Sequence, residues 1–483
     1  MFSAISGSSV RRRGAARLAA AVLASGLVAL TSLTGAGTAV ADDGSQHQGG
    51  AAATLDGLKT YGEAVLHTDG KDQRLPAGLF EMTVDGGGKL KTYCIDIHNP
   101  TQEQAKYRET PWDETSLGAN PDAGRIRWIL EHSYPQVDDL AALAETAGTG
   151  PLTEKTAAAG TQVAIWRYSD GADVDASDPA AEKLADWLEK SAQESAEPKA
   201  SLTLEPGVVS GRAGERLGPV TVRTDAAGVT VAPPADAAAS GIRITDEAGT
   251  PVTTAADGTE LYFDVPEDTA DGTASLSVQA TTSVPVGRAF AGVTRSQTQI
   301  LAGSSDSTVS ATATANWAER GPIPAVTARK NCAKSGVDIA AANEGDEPFV
   351  FEIAGQEHSV TPGGSTTVVV PVGEDETYGI TVTGSGGFSK NFDGVLDCVT
   401  TGNSEIVTQH ASGQPLPASA GGSSAETMGT AGATGATTAT GDLAETGSSA
   451  ATPVIAGVAI ALVVVGGGAV YLLRRKNGPT AGE

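Results

Sequence analysis

Three cysteines in a chain of 483 residues are too few for a disulfide-built scaffold. Aromatic residues make up only 4% of the chain, which argues against one large enzyme core. Basic charge is scarce as well. Thirty-two Lys and Arg stand against 58 Asp and Glu, a formal net charge of −26, so the basic footprint of a nucleic-acid binder is missing. The six histidines are dispersed, and none shares a metal-type spacing with cysteine or carboxylate residues, so neither metal nor cofactor is expected. A phosphate-binding glycine loop is lacking too. The chain is rich in Gly, 60 residues of it, with abundant Ala, Thr and Val, a composition that suits several turn-rich β modules with small cores.

Both ends read as addresses. Arg11-Arg12-Arg13, an apolar stretch from Leu18 to Leu33 and the small-residue site Ala39-Val40-Ala41 have the layout of a secretory signal peptide over 1–41. Near the other end, Val454 to Leu473 is an uncharged apolar run as long as a membrane-spanning helix requires. Arg474, Arg475 and Lys476 follow it, which leaves the tail 474–483 in the cytoplasm and the bulk of the chain outside. Just before the apolar run stands Leu443-Ala444-Glu445-Thr446-Gly447. With the helix and basic tail behind it, this resembles the sorting signal of sortase-anchored Gram-positive surface proteins, in its Leu-Ala-x-Thr-Gly variant with Ala444 where Pro is usual. The resemblance implies cleavage between Thr446 and Gly447 by a sortase and transfer of the Thr446 carbonyl to peptidoglycan, so the membrane helix holds the chain only before sorting. Residues 401–442 are dominated by Ala, Gly, Thr and Ser, too little apolar area to order a core, and read as a flexible spacer through the wall.

The exported part divides by pattern. Residues 42–197 mix strand and helix signals and hold Trp112, Trp128, Trp166 and Trp187, four of the five tryptophans, which makes this the most enzyme-like stretch. The turn Asp85-Gly86-Gly87-Gly88 separates two β runs and places Cys94 on the second strand of a hairpin. Helical spacing appears over Gly124 to His132, with Ile126, Ile129 and Leu130 on one face, and over Ala180 to Ala192, with Leu184, Trp187 and Leu188 on another. From 198 to 320 short alternating segments separated by turns predict an Ig-like β-sandwich, and 321–400 a second one. Cys332 and Cys398 lie near the two ends of that second module, so a disulfide between its first and last strands is expected in an oxidising compartment.

Cys94 is then the odd cysteine, in Tyr93-Cys94-Ile95-Asp96. Downstream comes Thr161-Gln162-Val163-Ala164-Ile165-Trp166, where Thr161 is placed to cap a helix start. These two motifs, in this order, resemble those of the thioester domain of Gram-positive surface adhesins, whose signature is a strand Cys joined to the Gln of a Thr-Gln-x-Ala motif. The resemblance implies an internal thioester between Cys94 and Gln162, with Thr161 and Ala164 as motif context. It also implies capture of an amine-bearing partner, such as a lysine on a surface or matrix protein. Tyr93, Trp166 and Tyr168 would shield such a bond from water, although each reads equally well as ordinary core.

Other readings stay open at this point. Cys94 could serve a cysteine hydrolase or transglutaminase-like enzyme, with His98 or His132 as base and Asp96 as orienter. The chain could also be a non-reactive wall-anchored binding stalk, with Cys94 linking two molecules. Lys199 and Asn316, a lone Lys and a lone Asn of the middle module, form a weak isopeptide hypothesis. The expectation is a secreted, wall-anchored multidomain protein that is not an enzyme. It would comprise an α+β thioester domain, two Ig-like all-β modules, a spacer and one transmembrane helix.

Overall fold

The computed structural model describes residues 49–68 and 70–400. The signal peptide, the spacer, the Leu443 to Gly447 motif, the apolar run 454–473 and the basic tail lie outside the described residues. Among the described residues, no helix is long and apolar enough to cross a membrane. They are mostly strand, with a few helices near the N-terminal end.

The N-terminal part is built on β1 (Ala52–Thr68), β2 (Lys71–Val84), β3 (Lys89–Cys94), β4 (Lys106–Thr110) and β5 (Val174–Ala176). The β2–β3 turn carries Gly86, Gly87 and Gly88 at φ of +85°, +115° and +112°, a left-handed run that only glycine adopts without strain. Against these strands pack α3 (Glu154–Ser169) and α4 (Pro179–Ser191), with α1 (Ala123–Glu131) on α3 and α2 (Leu140–Ala147) on α4. Ile126, Ile129 and Leu130 of α1 and Leu184 and Leu188 of α4 are buried, as their spacing predicts, while Trp187 is half-buried. Helix α3 begins earlier than the sequence suggests. Thr153 caps it in a reciprocal pair with Thr156, and Thr161 lies inside the helix with its hydroxyl donating to Ala157 O at 2.8 Å. The small residues Ala157 to Gly160 extend the helix inward. A Cβ at Gly160 would sit 2.4 Å from Ala181 O, so the glycine lets α3 and α4 approach closely.

The sequence-based boundary at 197/198 does not separate the sheets. Two strands from the middle of the chain, Ala289–Gly292 and Gln299–Ser304, lie in the N-terminal sheet, between β3 and β4. Gln299 pairs with Cys94 and Phe290 with Glu109. Because β1 also pairs with both β2 and β4, the strands close into a ring, β1-β2-β3-(299–304)-(289–292)-β4, with β5 added on β1. Closure explains why the hairpin escapes pattern reading. Its strands are covered on both faces and show no alternation.

The hairpin is the tip of an excursion between Gly272–Ser283 and Asp306–Trp317, which pair along their whole length in the middle module. At its root a buried ion pair joins Arg288 Nε to Glu109 Oε1 at 2.9 Å, the two side chains being 4% and 1% exposed. Glu109 also accepts from the backbone of Ala51 and Ser201, and Arg288 reaches Glu197. The middle module has a four-stranded and a five-stranded sheet, whose apolar residues form one continuous core with the ring. The C-terminal module, with a three- and a four-stranded sheet, has a core of its own around Val337, Ile339, Phe349 and Val382. Cys332 and Cys398 are joined by a disulfide.

Candidate functional site

Cys94 ends β3 and Gln162 sits midway along α3, and both are fully buried. The Gln162 carboxamide meets the backbone of Cys94 at both ends. Its Oε1 accepts from Cys94 N at 3.0 Å, and its Nε2 donates to Cys94 O at 2.8 Å. The carboxamide is thereby fixed against the backbone of Cys94 with both its polar atoms satisfied. The Cys94 sulfur turns toward the next bend of the chain, donating to Asp96 O at 3.1 Å and accepting from Asp96 N at 3.2 Å. Thr161 and Ala164 are buried on the same helix, and Tyr93 donates its hydroxyl to Tyr134 O.

Burial raises the pKa of the Cys94 thiol well above its ordinary value, and the neighbouring Asp170 and Asp96 push it further. The resting site therefore holds a neutral thiol. No histidine nitrogen hydrogen-bonds to Cys94 among the described residues. His132 stacks on Trp128 at 3.9 Å between ring centroids and uses Nδ1 on Trp128 O. Burial lowers the pKa of His98. A nucleophile worked by a histidine base has no such base in contact here. Lys199 is exposed, and the Asn316 amide donates to Pro324 O.

Residues 91–194 match the thioester domain family. The matched stretch runs from the strand of Cys94, through the helix of Gln162, past the end of α4. Among solved structures, the chain is similar to the Bacillus anthracis TIE protein, with 15% identity over 75% of this chain and 82% of that one, at a TM-score of 0.26. It is also similar to the thioester domain of the Enterococcus faecium TIE86 protein, with 16% identity over 56% of this chain and 97% of that one, again at 0.26. Similarities this low carry no argument about the fold. No curated protein matches.

The structure adds residues to the surroundings of Cys94 that sequence reasoning missed. Gln297, Thr298 and Gln299, from the inserted hairpin, are fully buried. Gln299 accepts from Thr92 and donates to Gln297, and Gln297 donates to Asp96 O and Asn99 O, so the bend behind Cys94 hangs on a ladder of buried amides. A polar run such as Ser296 to Gln299 reads as surface, and nothing in its spacing gives this role away.

Acidic residues gather on the far side of that bend. Asn99 donates both to Asp96 and to Asp375 of the C-terminal module, Thr298 donates to Asp397 Oδ2, and Arg295 pairs with Asp375. Thr400 donates to Ser169 O at the end of α3. Burial raises Asp96 to about 7 and Asp397 to about 6, each helped by other carboxylates, and raises Asp170 well above its ordinary value. Glu374, Asp375 and Asp397 bring one carboxylate oxygen each within 4.8 Å of one another.

Proposed function

We propose that Cys94 and Gln162 form an internal thioester through which this chain captures an amine-bearing partner covalently. The observation that carries the reading is the reciprocal pair of hydrogen bonds between the Gln162 carboxamide and Cys94, in a fully buried setting. In forming the bond, the Cys94 sulfur attacks the Gln162 side-chain carbonyl carbon, the C–N bond breaks, and ammonia leaves with the thiol proton. In capture, a partner amine attacks the same carbon, the C–S bond breaks, and Cys94 regains a proton as an amide to the partner forms. The chain is consumed as acyl donor and does not turn over, so it is not an enzyme. Burial keeps water from the bond before a partner arrives.

The wider reading is a secreted adhesin. Its signal peptide would be removed, its C-terminal helix would hold it briefly in the membrane, and a sortase would join it to peptidoglycan at Thr446. The residues quoted from the two ends of the sequence support that part. The test is the intact mass of the purified full chain before and after methylamine. A mass one ammonia lighter than the sequence requires, raised by methylamine addition, and without that deficit in Cys94→Ala, is the expected result. A mass equal to the sequence and indifferent to methylamine would leave a non-reactive binding stalk.

A further inference from the structure

Trp166 follows Gln162 by four residues on α3, so the two side chains project from the same face of the helix. The indole is fully buried, and its Nε1 has no hydrogen-bond partner among the described residues. A buried N–H without an acceptor destabilises the resting fold, and the indole offers no second polar atom to compensate. No hydrogen bond joins this N–H to the Cys94 sulfur at rest, yet the indole lies near enough to favour a thiolate there, against the burial and the carboxylates that oppose it. The other groups at the sulfur are the backbone N–H and carbonyl of Asp96, both of which it already engages.

We infer that Trp166 is a catalytic residue of the thioester, its indole N–H donating to the Cys94 sulfur whenever that atom carries negative charge. This rests on the Cys94–Gln162 reading above. During capture, the partner amine attacks the Gln162 carbonyl carbon, and the electron pair of the breaking C–S bond passes to sulfur. The nascent thiolate lies in a buried site where, among the described residues, no histidine or lysine hydrogen-bonds to it, and the Trp166 N–H meets it there. The thiolate then takes the proton that the amine loses. The same donor acts during formation, when the thiol surrenders its proton to the departing ammonia and the sulfur turns nucleophilic. An N–H left without a partner at rest is free for this use, as a donor held ready for charge that develops only in the reaction.

Trp166→Phe in the full chain tests this, because it removes the N–H and keeps an aromatic ring. Three measurements are compared with the parent: the fraction of chain lighter by one ammonia, the rate of methylamine addition across pH, and the melting temperature. Expected are a melting temperature close to that of the parent and methylamine addition slowed about tenfold or more, with the loss steepest where the leaving sulfur is not rescued by protonation. A purely packing role predicts the reverse, a lower melting temperature with the rate kept. Should the phenylalanine variant not fold, benzothienylalanine at 166 preserves the bicyclic shape with sulfur in place of N–H. Parental addition rates in either folded variant overturn the proposal. A parent chain with no loss of ammonia overturns the thioester itself, so the two failures are told apart.

Discussion

Among the described residues, the ring that holds Cys94, with the α3 of Gln162 packed on it, meets two other modules at junctions of opposite kind. Toward the middle module the core is continuous, two strands are exchanged, and the Arg288–Glu109 pair is sealed from solvent. Toward the C-terminal module the cores are separate, and polar bonds, ion pairs and crowded carboxylates join the two sides. The first junction is a fusion, stable only as a whole. The second is held by groups whose charge changes with pH, and it lies against the Asp96 bend and the end of α3, the two places that frame the buried pair.

The largest effect should come from removing the exchanged strands. Replacing 285–304 by a short turn takes two strands out of the ring and leaves Cys94 without Gln299. We expect loss of the near-UV circular dichroism of the N-terminal tryptophans and no methylamine reactivity. A fragment ending near 200 should fail in the same way. If either protein keeps a cooperative melt and a reactive Cys94, the junction is not a fusion.

Next in size is the ion pair. Arg288→Met leaves Glu109 charged and buried, and should destabilise the ring and the middle module together by about 3–5 kcal/mol in chemical denaturation. Separate transitions for the two parts would contradict a shared core.

The second junction should respond to pH. Asp96 and Asp397 titrate above their ordinary value of 3.8 in the folded chain, so the folded state holds protons that the unfolded chain releases. Their contribution to stability is complete below about 3.8 and is lost as pH rises through about 6 to 7. Arg295 and Lys330, facing Asp375 and Asp397, temper the loss. Hydrogen exchange at 96–99 and 373–400 should accelerate between about pH 5 and about pH 8, and Asp397→Asn should flatten that response.

The smallest effect is expected at Asp113, which pairs with Arg329 at 2.8 Å at the same junction, both side chains being exposed. Asp113→Asn should shift stability by no more than about 1 kcal/mol and lose even that at high salt.

How much of this could be read in advance varied with what each residue faces. Cys94 stood out as the cysteine left over from an expected pair, whereas Gln162 was legible only through the resemblance of Thr161 to Ala164 to a thioester-domain motif. The α1 and α4 faces were legible because they are amphipathic. Thr161 was misplaced at a helix start because Ala157 to Gly160 lack the bulk that marks a buried helical face. The hairpin 289–304 was invisible for the opposite reason, being buried on both sides, and its glutamines resemble surface residues although each is satisfied inside. Glu109 and Arg288 could not be paired from sequence, since only the closed ring brings them together.

The strand exchange also imposes a schedule. Gln299 pairs with Cys94 in the sheet and walls it on that side, accepting a hydrogen bond from Thr92 across 207 residues of chain. A chain made from its N-terminus has Cys94 and Gln162 in hand long before that wall exists, and until residue 299 arrives the pair has no dry enclosure. The surroundings of Cys94 and Gln162 are therefore among the last parts of the ring to be completed.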